Sequence, residues 1–131
     1  MISPLPPVCL VQLHAALEAS LEPDTAYLGV HEPGNPALGQ CYPTSRVVQW
    51  FFPALEIASG KVETGSALEA HFWNIDVSQD PARHVDLTWQ QFTPRAEVTS
   101  FTVLDRNHLN DSAATVARCE RLLRRVLSRL G

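Results

Sequence analysis

Residues 40–63, QCYPTSRVVQWFFPALEIASGKVE, hold a helix pattern and a strand pattern back to back, and the change between them sets the fold class. A helical stretch is predicted from about Tyr42 to Phe52. Pro43 falls in its first turn, where a missing backbone N–H costs nothing, and Pro53 stops it. Glu56 to Glu63 then reads as a strand, with Ser59-Gly60 inside it. Cys41 stands at the start of the helix. There the unsatisfied N–H groups carry partial positive charge, which favours thiolate over thiol and makes a cysteine nucleophilic.

Downstream, Glu69 to Ile75 reads as a second strand, between turn signals at Thr64-Gly65-Ser66 and Ser78 to Pro81. A third strand is expected from His84 to Thr88. Its His84, Asp86 and Thr88 alternate with Val85, Leu87 and Trp89, so period two puts the polar trio on one face. Glu97 to Leu104 alternates again as a fourth. After a polar turn, Asp111 or Ser112 caps a last helix with Ala113, Val116, Leu123, Val126 and Leu130 along one side. Upstream, Val8, Leu10, Val11, Leu13, Ala16, Leu17 and Leu21 recur at threes and fours, predicting a helix from Val8 to Leu21. Residues 22–40 collect Pro23, Gly29, Pro33, Gly34, Pro36 and Gly39, a long surface loop. Helices followed by an antiparallel meander predict an α+β fold.

With 131 residues, 45% hydrophobic and 18% charged, the chain has material for one core, so residues 1–131 are expected to form a single domain. A net charge of -4 excludes a generally basic nucleic-acid binder. Arg118, Arg121, Arg124, Arg125 and Arg129 gather on the last helix, where arginines ordinarily coat the solvated side. No window approaches the roughly 20 apolar residues of a membrane span, and Met1 to Pro7 has no Lys or Arg, so neither membrane insertion nor a secretory signal is expected. Cys9, Cys41 and Cys119 are an odd set with no Cys-x-x-Cys pair, which fits free thiols in a reducing cytoplasm. Cys9 and Cys119 lie on amphipathic helices and are expected to be small buried hydrophobes, leaving Cys41 as the one cysteine at a helix start.

A thiolate nucleophile needs a base in hydrogen-bond reach and an acceptor that orients the base. Of five histidines, His14, His31 and His108 have ordinary exposed or capping roles, on a helix, in the long loop and in the last turn. His71 opens the segment His71-Phe72-Trp73-Asn74, and a hairpin pairing brings Asp86 of the next strand beside it. His84 competes for the role of base, and Asn74 or Asp76 for that of acceptor. Backbone N–H groups at the start of the Cys41 helix would hold an oxyanion, helped by the side chain of Gln40 or Asn35. The aromatic residues read mainly as core, with Trp73 as the candidate to flank the cleft.

The segment Asn35-Pro36-Ala37-Leu38-Gly39-Gln40-Cys41 with Thr44, Val47, Val48 and Gln49, then His71-Phe72-Trp73-Asn74, then Val85-Asp86-Leu87-Thr88 with Gln91-Phe92, resembles the YunG-like family of small bacterial proteins over about residues 8 to 92. That family looks like a minimal papain-like fold, with a central helix that starts at the nucleophile and packs on an antiparallel sheet, flanked by N- and C-terminal helices. The resemblance implies that Cys41, His71 and Asp86 occupy the catalytic positions, with Gln40 adjacent. Tyr42-Pro43 departs from the smaller residues expected after the cysteine. The expected function is a thiol-dependent amide hydrolase or acyltransferase, of the peptidase, isopeptidase or glutamine deamidase type, acting on a protein or peptide without a cofactor. The alternative is a catalytically silent binding module for such a partner. A zinc site built from Cys41, His71 and His84 or Asp86 lacks a close-spaced ligand pair, and no metal is expected.

Overall fold

In the computed structural model, which describes residues 5–26, 39–106 and 111–130, Cys9 caps the first helix, α1 (Leu10–Ser20). Its N–H donates to Gln12 Oε1 (3.1 Å) and its Sγ accepts the Gln12 N–H (3.4 Å), a reciprocal cap. Cys9 is exposed, which corrects its assignment to the core, and it shares with Cys41 a place at a helix start. As N-cap it has extended backbone (φ -88, ψ 161), so the helical period does not extend to it. Val11 also faces solvent, whereas Leu13, Ala16 and Leu17 face inward.

The second helix, α2, runs Cys41–Phe51, and the third, α3, runs Ala113–Leu130. Ser112 caps α3, its Oγ accepting the Thr115 N–H at 3.1 Å. Leu13, Ala16, Leu17 and Leu21 of the α1 region meet Val47 and Val48 of α2 and Leu122 and Val126 of α3 in one helical core. The buried residues of α3 are Cys119, Leu122 and Val126. Ala113 and Val116, expected on that side, are exposed because burial begins only at Cys119. Arg129 donates to the Ala19 carbonyl (3.1 Å) and Arg121 to the Asp24 carbonyl (2.8 Å). Both terminal nitrogens of Arg125 bond the Asp24 carboxylate, which the guanidinium holds below the usual carboxylate range. The arginine-rich helix is thus fastened to the end of α1 and the turn after it.

Strands β1 (Glu56–Glu63), β2 (Leu68–Asp76), β3 (Arg83–Val85) and β4 (Glu97–Val103) form one antiparallel sheet in the order β3-β2-β1-β4. With three helices this is an α+β fold. The last strand does not follow β3, as a meander requires, but returns to the free edge of β1. The reason lies in the third strand, which ends at Val85 rather than Thr88. Asp86 Oδ1 accepts the Thr88 N–H at 3.1 Å, and this local turn leads the chain into a single 3₁₀ turn at Trp89–Gln91. The polar trio therefore does not share a strand face.

Gly60, opposite His71 on one side and Phe101 on the other, lies beneath Trp73. A Cβ there would stand 2.6 Å from the indole and 2.5 Å from the Ser100 carbonyl oxygen. Trp73, Ala58 and Ile75 make a second, smaller apolar cluster on this face. On the other face, Asn74 Nδ2 donates to the Ser45 carbonyl (3.0 Å) and ties β2 to α2. Among the described residues, no helix is long and apolar enough to cross a membrane.

Candidate functional site

β3 pairs only with Asn74–Asp76, so the edge of β2 before residue 74 has no strand beside it on that side. The segment after Val85 turns over this gap. His71, fully buried, has Trp73 stacked at 5.5 Å between ring centroids and Trp89 and Phe92 edge-on at 6.0 and 4.7 Å. Its Nε2 lies 2.7 Å from Asp86 Oδ2, and the other carboxylate oxygen is held by Thr88. The turn that ends β3 therefore also aims the carboxylate. Nδ1, the second ring nitrogen, is enclosed and makes no hydrogen bond of regular geometry. Burial penalises the charged ring, but the Asp86 hydrogen bond, the neighbouring Cys41 and the negative charges of both outweigh it, and the imidazole pKa is raised from 6.5 to about 9.

Cys41, half-buried with a free thiol, is the first residue of α2. Gln40 precedes it as N-cap without a side-chain capping bond, and the Gln40 carbonyl accepts the Thr44 N–H at 3.0 Å. The amides of Cys41 and Tyr42 have no carbonyl within the helix to bond, and Pro43 has no N–H. Just before them Gly39 turns the chain at φ 76, a left-handed conformation that favours glycine. Cys41 opens onto a cleft of about 780 Å³, walled by Tyr42, Pro43, Ala70, Phe72 and Phe92, with Glu69, Asp111 and Arg118 at polar positions. The Tyr42 hydroxyl donates to Asp111 Oδ1 at 2.5 Å, and its ring meets Phe72 edge-on at 4.9 Å. Burial and this carboxylate hold the phenol well above its ordinary pKa. Arg46 approaches the same carboxylate at 3.5 Å.

The expected residues divide accordingly. Cys41, His71 and Asp86 come together. Gln40 is fully buried but its amide faces away from the cleft, accepting from Thr25 Oγ1 (2.8 Å) and donating to the Glu22 carbonyl (2.9 Å). Trp73 shares a face with His71, yet it lines a separate groove with His84, Asp86, Trp89 and Phe101. Asn74 is buried and bound to α2, and Asp76 accepts from Ser78 and Gln79 in the following turn, so neither orients His71. His84 Nδ1 accepts the Trp73 indole N–H at 2.9 Å, which removes it from competition with His71. Asn35, His31 and His108 lie outside the described residues.

Sequence reasoning put Thr88 on a strand instead of on the Asp86 carboxylate, and passed over Thr25. The Asp86-Leu87-Thr88 spacing, an acid two residues before a threonine N–H, was a usable turn signal for the first. Thr25 carries no such signal. Among the described residues, no three His, Cys, Asp or Glu side chains are arranged to hold a metal ion.

Neither the curated proteins nor the solved structures yield a match to this chain. The family model described as YunG protein matches residues 9–131, and so extends past the three motif blocks through the whole of α3. The chain belongs to the YunG protein family.

Proposed function

We propose that this chain is a thiol-dependent amide hydrolase or acyltransferase with a minimal papain-like architecture, and that Cys41, His71 and Asp86 are its catalytic residues. The observation that carries the reading is the imidazole bonded through Nε2 to Asp86 at 2.7 Å, with Nδ1 left for the cysteine that opens on the cleft. An imidazole raised to about 9 is basic enough to hold, at Nδ1, the proton that leaves the Cys41 thiol, which gives a thiolate beside an imidazolium. The sulfur then attacks the acyl carbon, and the carbonyl electron pair moves to oxygen. The N–H groups of Cys41 and Tyr42 face that developing charge; the Gln40 side chain, spent on Thr25 and Glu22, does not. When the carbon–nitrogen bond breaks, His71 gives its proton to the leaving amine. Water or an amine next attacks the thioester, His71 takes the proton back, and the thiolate leaves.

Alkylation by iodoacetamide at neutral pH tests this. The expected result is labelling of Cys41 about tenfold faster than the exposed Cys9, and a matching loss in the His71→Ala variant. Cys119, whose thiol burial pushes up to about 12, is expected to stay unlabelled. Equal rates at Cys41 and Cys9 would overturn the assignment. The apolar walls at Pro43, Ala70, Phe72 and Phe92 favour a second reading, a silent module that binds a peptide in the same cleft. That reading predicts no rate advantage for Cys41.

A further inference from the structure

The Gln40 side chain is fully buried, one residue before the nucleophile, and both its heteroatoms are committed to residues 22–25. Thr25 is likewise fully buried, and its hydroxyl accepts the Glu22 N–H at 3.2 Å while donating to Gln40. The same short turn is gripped from outside by α3. Arg125 forks onto the Asp24 carboxylate and reaches Glu22 at 3.2 Å, and Arg121 donates to the Asp24 carbonyl. A continuous line of polar contacts thus runs from the surface of α3, through the turn, to the peptide bond that carries the Cys41 N–H.

We propose that Thr25 and Gln40 are positioning residues for Cys41, and that the Arg125–Asp24 clamp on α3 sets the turn that holds them. This rests on the thiol chemistry proposed above. The physical argument concerns what fixes the start of α2. Its N-cap makes no side-chain capping bond, and the preceding Gly39 has a conformation few residues adopt, so among the described residues the capping bonds that ordinarily anchor a helix start are missing. The Gln40 amide replaces them by anchoring the backbone sideways, into the neighbouring turn. Its removal lets the first turn of α2 shift, and the Cys41 sulfur moves relative to a His71 ring that is locked by Asp86 and three aromatic neighbours.

The test is the Cys41-to-Cys9 ratio of iodoacetamide labelling rates, with Cys9 as reference thiol on the same chain, measured in folded protein from pH 5 to 9. Thr25→Val keeps the shape and deletes the hydroxyl; the expected ratio falls about tenfold and loses its pH dependence, while Thr25→Ser restores both. Arg125→Gln, at the surface, is expected to lower the ratio about twofold to threefold with the fold intact. A wild-type ratio near one would overturn the thiol chemistry and this proposal with it. A high wild-type ratio that Thr25→Val leaves unchanged, or that Thr25→Ser lowers equally, would overturn the positioning role alone. If Thr25→Val does not fold, the Arg125→Gln ratio decides: a fall supports the clamp and an unchanged value overturns it.

Discussion

Asp86 determines what His71 is able to do. Its carboxylate fixes Nε2 as the donor nitrogen and, with the neighbouring Cys41, outweighs the burial that opposes charging and raises the imidazole from 6.5 to about 9, so the folded chain binds this proton more tightly than the unfolded one. The stability this lends is complete below about pH 6.5 and is lost as pH rises through about 9, a fall of about 3 kcal/mol. Urea midpoints at pH 6 and pH 9 are expected to show it, and Asp86→Asn to remove most of it. Cys119, raised from 9.0 to about 12 by burial, adds its own loss only above pH 9 and leaves this window clear. At this scale the sequence was legible where one side chain meets another across neighbouring elements, as with His71 and Asp86. It was illegible where a residue's partner comes from a distant turn. Nothing adjacent to Gln40 indicates Thr25, and nothing near Asn74 indicates the Ser45 carbonyl.

Periodicity, turn signals and prolines together located the three α-helices and four strands, though not the 3₁₀ turn at Trp89–Gln91, and alternation ran on past a place where the chain itself turns. Alternation from His84 to Thr88 is real in the sequence, yet the Asp86 carboxylate competes for the Thr88 amide and wins it from the sheet. That early stop leaves the β2 edge open for the segment that covers His71, so the misread strand end lies at the candidate site. Strand order was illegible for a related reason. Pairing β4 with β1 depends on which edge is long enough to accept it, and β3 offers three residues. Gly60 is the element-scale test. Its replacement by alanine drives a methyl group against the Ser100 carbonyl and the Trp73 indole, and is expected to cost about 2 kcal/mol, read as a lower urea midpoint with an unchanged slope. The same variant is expected to perturb near-ultraviolet dichroism, because Trp73 stacks on His71 and touches Phe101.

Across the whole molecule, stability rests on the three-helix core. Leu122 is fully buried between α1 and α2, and Leu122→Ala is expected to cost about 3 kcal/mol by the cavity it leaves. Arg124→Ala, on the exposed side of the same helix, is expected to change stability by less than about 0.5 kcal/mol, and thermal unfolding of the pair checks both. The α+β class was legible because the chain separates its helical from its strand periods. The destination of the arginines was not, since their partners at Ala19 and Asp24 stand about a hundred residues earlier in the chain.

That separation bears on how the protein is made. A chain synthesised from its first residue presents Leu13, Leu17, Val47 and Val48 to solvent or to a chaperone before the segment that covers them exists. The part of the sheet made by β1, β2 and β3, which pair as sequence neighbours, is free to assemble early. The helical layer closes only when residues 113–130 have emerged, so a ribosome stalled within them carries a nascent chain with its greasiest surface still bare.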